Sequence, residues 1–171
     1  MSNLGLMNFP QIENKFDHPR IRPVETAHIA DLIRIADETN LSHWSAQSYL
    51  EEMKNADAIM LRLVTTDNVT IGFIVGRTVP GGETVSQIDA EIYNIAVIKS
   101  IQKKGFGQLL FNAFMDECSL RSVVNLWLEV RESNLIALAF YEKNGFARVQ
   151  TRNHFYENPR EHAILMKLEL K

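Results

Sequence analysis

Tyr93-Asn94-Ile95-Ala96-Val97-Ile98-Lys99-Ser100-Ile101-Gln102-Lys103-Lys104-Gly105-Phe106-Gly107 joins a strand to a helix through a loop of phosphate size. From Gln87 to Ile98 the residues alternate. Ile88, Ala90, Ile92, Asn94, Ala96 and Ile98 fall on one face and Asp89, Glu91, Tyr93, Ile95 and Val97 on the other. Both faces become apolar toward the end, which predicts a strand inside a sheet. The two glycines of Gln102-Lys103-Lys104-Gly105-Phe106-Gly107 let backbone N–H groups crowd an anion. The helix that follows aims its unpaired N–H groups and positive dipole end at the same place. Gly105-x-Gly107 lacks the third glycine of a dinucleotide fingerprint, and no Gly-Lys-Ser/Thr follows to make a P-loop.

What the loop does resemble is the Gln/Arg-x-x-Gly-x-Gly/Ala motif of the Gcn5-related N-acetyltransferase (GNAT) superfamily. Downstream, Trp127-Leu128-Glu129-Val130-Arg131-Glu132-Ser133-Asn134 is followed by Ala139-Phe140-Tyr141-Glu142-Lys143-Asn144-Gly145-Phe146. This pair of segments is similar to the second motif of that superfamily, in the form found in its ribosomal-protein-alanine (RimI) type. The similarity runs from about Ile21 to the C-terminus.

Composition agrees with one domain of ordinary make-up. The 171 residues are 46% hydrophobic and 23% charged, with a net charge of −3, so no excess charge points to nucleic acid or a membrane surface. No apolar run approaches the length of a membrane span, and the first residues lack the basic start and apolar core of a secretory signal. One cysteine, Cys118, excludes an internal disulfide and fits a reducing, cytoplasmic setting; it reads as a small buried helix residue. Residues 1–20 show no periodicity and are expected to be an N-terminal extension, leaving 21–171 as a single domain.

Along the chain, Ile21 to Val24 predicts a short strand, and Thr26 an N-cap for a helix to about Thr39. A second helix is expected from Ser45 to Lys54. Ile59–Val64 and Thr70–Val79 are β-branched runs around a Thr66-Asp67-Asn68 turn, with another turn at Pro80-Gly81-Gly82-Glu83. After the glycine loop, Leu109, Leu110, Ala113, Phe114 and Cys118 should line the buried face of a helix. A strand over Val123–Val130 then closes a βα-crossover with a parallel partner. Ser133 is the expected cap of the next helix, with Leu135, Ile136, Leu138, Phe140 and Tyr141 as its apolar residues and Gly145 as its stop. Two last strands, Ala147–Thr151 and His162–Leu170, flank a loop from Arg152 to Pro159. The order is α+β, antiparallel at the start and parallel at the loop. The resemblance implies the GNAT acyl-CoA N-acyltransferase fold, a mixed central sheet flanked by helices whose middle strands splay to admit a cofactor arm.

The resemblance also implies the chemistry: acetyl transfer from acetyl-coenzyme A to an amine, without a metal. In the ribosomal-protein type that amine is a protein N-terminal α-amine, typically an alanine of a small-subunit ribosomal protein. A small amine or another protein N-terminus is the alternative acceptor, and a noncatalytic acyl-CoA-binding module the alternative class. By match to the motifs, Glu129 is the base and Tyr141 the acid toward the departing thiolate. Asp89 and Glu91 are rival bases, and pairing with Arg131 is the structural alternative for Glu129. The pantetheine would lie along the backbone of Ile95, Ala96 and Val97. The pyrophosphate would lie on Lys103, Lys104, Gly105, Phe106, Gly107 and Gln108, with Asn134 touching the cofactor or simply capping its helix. Trp44, Arg152, Phe155 and Tyr156 would border the acceptor. The chain departs from the family pattern at Ser42-His43-Trp44, at His162 and in a shorter final loop, all on the acceptor side. His154 and His162 have no third ligand at metal spacing.

Overall fold

The computed structural model describes residues 16, 18–42, 44–81 and 87–170. The expected extension up to residue 15 and at Asp17, His43, and Gly82 and Glu83 of the Pro80 turn lie outside them; Phe16 packs against the larger core cluster. Among the described residues no helix is long and apolar enough to cross a membrane.

Among the described residues seven strands form one sheet: β1 (Arg20–Pro23), β2 (Ala58–Val64), β3 (Thr70–Pro80), β4 (Ile88–Val97), β5 (Val123–Arg131), β6 (Ala147–Glu157) and β7 (Arg160–Glu169). Their order is β1-β2-β3-β4-β5-β7-β6, antiparallel throughout except for the parallel β4–β5 pair. Among the described residues four α-helices flank it: α1 (Ile29–Glu38), α2 (Ala46–Met53), α3 (Phe106–Leu120) and α4 (Leu135–Lys143). This is the mixed α+β sheet expected from the sequence.

Strand β3 shows why both of its faces had to be apolar. Phe73 and Val75 belong to the core shared with α1 and α2, while Ile71 and Ile74 belong to the core shared with α3 and α4. The two glycines of β3 bring α3 close. A Cβ on Gly72 would lie 3.1 Å from Leu110, and one on Gly76 would lie 2.7 Å from the Phe114 ring and 2.2 Å from the carbonyl oxygen of Glu91. At the β2–β3 turn, buried Arg62 is satisfied by Asn68, whose Oδ1 lies 3.1 Å away, and by Thr70 at 3.2 Å.

Five expectations are corrected. The period-two alternation of β4 does not run its whole length, because Gly76 faces Ile92 and Val75 faces Asn94, leaving Tyr93 as an extra residue. This bulge exchanges the faces: Ala90 and Ile92 share a core with Ile95 and Val97, whereas Ala96 turns to the other helical layer. On α3, Leu109 is exposed and Phe111 is buried. The first helix begins as a 3-10 turn at Thr26, with Glu25 rather than Thr26 at its N-cap. On α4, Asn134 is the cap instead of Ser133, accepting from the N–H of Ala137 at 3.1 Å, and Leu135 and Ile136 are exposed. Finally, residues 152–157 belong to β6 and the turn to β7 is short, so the expected loop is a bulged hairpin.

Replacing Gly76 by valine should lower unfolding free energy by about 3 kcal/mol, the upper range for overpacking a filled core. Urea denaturation measures it; an unchanged midpoint would mean that α3 does not rest on β3 as described.

Candidate active site

The site begins where two neighbouring strands stop pairing. β4 and β5 are paired from Ile88/Val123 to Ile92/Leu128, with a register shift after Ile88, and no pair follows. Beyond that point β4 stays bound to β3 as far as Val97, and β5 stays bound to β7 as far as Arg131. The β5-facing edge of Tyr93–Val97 therefore carries backbone groups with no strand partner, able to bind an extended amide chain as an added strand.

At the far end of this edge lies the glycine loop. Lys103 has φ +61° and Gly105 φ +86°, so the chain turns sharply into α3. Leu109 donates to Gly105 O at 3.1 Å, leaving the N–H groups of Phe106, Gly107 and Gln108 ahead of the first helical bond. A Cβ added at Gly105 or Gly107 would meet nothing within 4 Å, so space lies open over both. Lys103 and Lys104 are exposed beside it. The Gln108 side chain bridges to Asn144 at the end of α4, Nε2 to Oδ1 at 2.7 Å, and Gln102 Nε2 donates to Val97 O at 2.9 Å. These contacts fix loop, strand end and α4 relative to one another.

At the near end is a cleft of about 340 Å³. Glu129 enters it from β5, and Glu91, Tyr93 and Asn94 from the bulged part of β4. Trp44 from the α1–α2 connection and Arg152, Phe155 and Tyr156 from the β6 bulge complete its wall. All four residues expected at the acceptor are thus brought together with Glu129. The register explains how: Arg152 pairs with Ala163 and Tyr156 with Glu161, so three intervening residues bulge out, with His154 at φ +55°. His154 N–H donates to His162 Nδ1 at 3.0 Å, which ties down the bulge.

Glu129 is ion-paired with Arg152, not Arg131. Arg131 instead binds Glu161 at 3.3 Å and the carbonyl of Asn158 at 3.0 Å, with its guanidinium 4.0 Å from the Tyr156 ring centre. Hydrogen bonds from the Ser133 hydroxyl and N–H, reinforced by Arg131, hold the Glu161 carboxyl below its usual range. The hairpin is therefore locked to β5 on the cleft side. Tyr156 O–H donates to Glu129 O at 3.4 Å, and its pKa is raised by burial and then by the Glu129 charge.

Of the rival carboxylates, Asp89 is buried with both oxygens taken, by Asn125 Nδ2 and Trp127 Nε1 at 2.9 Å each. Glu91 accepts from Tyr93 O–H at 3.1 Å, and Tyr93 accepts from Arg77 Nε at 2.6 Å. Burial, with Glu91 adding, pushes the Tyr93 phenol up to about 12. Tyr141 is buried in the larger core, its ring 5.4 Å from that of Phe146, and is not in the cleft wall. Burial, then Tyr156, raises its pKa, which keeps the phenol protonated. Among the described residues no group of three His, Cys, Asp or Glu is placed to hold a metal.

The acetyltransferase (GNAT) family profile matches residues 28–146, well over half of the chain. The chain belongs to this family. Among curated relatives, the "[Ribosomal protein bS18]-alanine N-acetyltransferase" of Haemophilus influenzae is 33% identical over 149 residues, covering 85% of this chain and 95% of that protein. That of Haemophilus ducreyi is 31% identical over 142 residues, covering 81% and 92%. The crystal structure of the Escherichia coli ribosomal-protein-S18-alanine N-acetyltransferase superposes with a TM-score of 0.78 at 28% identity, covering 90% of this chain and 95% of that one. Arabidopsis thaliana NAA60 in complex with acetyl-CoA shares the fold at 17% identity and a TM-score of 0.80, covering 90% and 99%.

In this GNAT acetyltransferase, residues that motif reading passed over also line the cleft. Trp127 is one and Asn94 another. Asn94 is 5% exposed and its Nδ2 has no hydrogen-bond partner, an orphaned donor of the kind native proteins seldom leave unless a ligand meets it. Its signal in the sequence was a single polar residue inside Ile92–Val97, which is otherwise apolar but for Tyr93.

Because the space above Gly107 is open, Gly107→Val should leave thermal stability unchanged. It should also weaken coenzyme A binding by about tenfold or more, the loss of one hydrogen bond to a charged group. Calorimetric titration against a melting curve separates the two; retained affinity would remove the loop from the binding site.

Proposed function

We propose that this chain transfers the acetyl group of acetyl-coenzyme A to the α-amine of a protein N-terminus, with the alanine of ribosomal protein bS18 as its acceptor. The reading rests on one observation above the rest: Glu129 shares a cleft with Trp44, Arg152, Phe155 and Tyr156 where β4 and β5 part. The names of the relatives supply the acceptor. Residues 21–171 form the acetyltransferase domain in this reading, with 1–20 as an extension, and the reaction belongs in the cytoplasm.

When bound, the thioester supplies an activated carbonyl. The free β4 edge at Ile95, Ala96 and Val97 suits the pantetheine amides. The N–H groups from Lys103 to Gln108, with the two lysine charges, suit the pyrophosphate. Asn134 serves this site through its cap, by fixing the start of α4.

An α-amine has a pKa near 8, so about a tenth is uncharged at neutral pH and a base must take its proton. Glu129 is that base, acting directly or through a water, because its carboxylate stands in the cleft where the amine would meet the thioester. Asp89 is the weaker rival, since both of its oxygens are already bonded. Carbon–nitrogen bond formation expels the coenzyme A sulfur as thiolate. Tyr141, buried in the core and outside the cleft wall, is the residue that the motif match assigns to donate its O–H to that sulfur. A phenol with a raised pKa gives up its proton reluctantly to a thiolate of pKa near 8.5, so the interaction is chiefly a charge-assisted hydrogen bond.

Synthetic peptides beginning with alanine, followed by mass spectrometry of the α-amine and by thiol release, test the function. Acetylation confined to the α-amine is expected; thiol release without peptide modification would redirect the reading to small amines. Glu129→Gln should cut turnover roughly 10²-fold while changing coenzyme A affinity less than about twofold. Equal losses in both would remove it as base. Tyr141→Phe should slow turnover with the fold intact, and full activity would return it to core packing.

A further inference from the structure

A second cleft, of about 460 Å³, lies on the other side of Trp44 and Tyr93, the two residues that line both. Their rings are 5.6 Å apart and form the partition. Its charged groups are Glu51 and Glu52 from α2 and Arg77 from β3, two negative against one positive. Glu51, on the exposed rim, accepts from Gln47 Nε2 at 2.7 Å.

Glu52 is the unusual member. It is 9% exposed, and its Oε1 is buried without a hydrogen-bond partner. Its other oxygen lies 3.7 Å from Arg77 Nη1, beyond a hydrogen bond. Arg77 is also committed elsewhere, through Nε to the Tyr93 hydroxyl at 2.6 Å, and Tyr93 in turn donates to Glu91 Oε2 at 3.1 Å. One guanidinium thus serves two carboxylates, on the two sides of the partition. Burial raises the Glu52 carboxyl pKa, and Arg77 opposes this only in part. An acceptor left buried and half-compensated calls for a further donor.

We infer that this second cleft is a cation subsite for the acceptor chain, in which Glu52 and Glu51 receive the ammonium or guanidinium of a lysine or arginine at the second or third residue of the peptide. The inference rests on the proposed α-amine acetylation. Strand register supports the reach. Glu129 is two residues along β5 from Trp127, which pairs with Glu91, which pairs with Arg77. Two strand spacings of about 4.8 Å and two residues of about 3.3 Å separate them by roughly 12 Å. An extended peptide with its α-amine at Glu129 covers that distance within two or three residues and one long side chain. The faces of Trp44 and Tyr93 lie along the way and favour a cation over an anion.

The test is calorimetric binding to the full-length protein saturated with coenzyme A, using hexapeptides that begin with alanine and carry lysine, Nε-acetyl-lysine or glutamate at positions two and three. Lysine should bind about tenfold more tightly than acetyl-lysine, and glutamate more weakly still. In Glu52→Gln the lysine preference should fall below about twofold, with Glu51→Gln intermediate. The acetyl-lysine comparison needs no variant, so a Glu52→Gln protein that fails to fold leaves the inference open to refutation. No preference in the wild type, or an undiminished one in a folded Glu52→Gln, overturns it. Mass spectrometry of the same peptides after incubation with the protein and acetyl-coenzyme A tells the two readings apart. Glu52-dependent binding without α-acetylation upholds the subsite and refutes the function; α-acetylation without that dependence does the reverse.

Discussion

Everything functional in this fold depends on the end of one strand pairing. β4 and β5 are held together up to Ile92 and Leu128, and each then follows its other neighbour, β3 or β7. A sheet interior left open is costly unless something binds there, because its backbone donors and acceptors are withdrawn from one another without gaining partners. The surrounding packing makes the opening durable. Gly72 and Gly76 seat α3 on β3, and the Gln108–Asn144 contact joins α3 to the end of α4, so neither strand can drift back to close the gap.

The bulge at Tyr93 is the second constraint. By shifting the faces of β4, it keeps Ile95 and Val97 in the core of α3 and α4. It also turns Asn94 into the cleft and Tyr93 into the partition between the two clefts. β5 carries the complementary row. Leu126, Leu128 and Val130 are buried, while Trp127, Glu129 and Arg131 alternate onto the other face. Each of these three is pinned by a different element: Trp127 by Asp89 of β4, Glu129 by Arg152 of β6 and Arg131 by Glu161 of β7.

That row explains where reading the sequence succeeded and where it fell short. Glu129 and Arg131 are neighbours on one face, so pairing between them was the natural local alternative. Partners from other strands win because the β6–β7 hairpin delivers them: Arg152 reaches Glu129 across β7 from the bulged part of β6, and Glu161 stands on β7 two residues from Ala163, the residue paired with Arg131. Such partners depend on register, which alternation alone leaves open. The strand–loop–helix segment and the parallel crossover were legible, since their signals lie within a few consecutive residues: two glycines, an apolar run and a helical stripe. The bulge in β4, the bulged hairpin carrying Arg152 to Tyr156, and the orphaned groups of Asn94 and Glu52 were not, because each arises only when distant segments are stacked. The Ser133 and Leu109 expectations failed for a smaller reason, a one-residue shift in where a helix begins and which stripe it buries.

The two halves of the site also differ in what they ask of the sequence. On the loop side the groups offered are backbone N–H and C=O, set by two glycines, a strand edge and a helix start, and nearly any side chains permit them. On the cleft side the groups are side chains drawn from the α1–α2 connection, β4, β5 and β6, so each substitution alters the surface directly. A fold organised this way can diverge far while keeping its loop side, and the TM-score of 0.80 to a structure only 17% identical is the size of divergence such a backbone tolerates. Ser42 and His162 both act on the cleft side and stand outside the strand parting. Ser42 lines the cleft itself, and His162 steadies the bulge that brings Arg152 to Glu129.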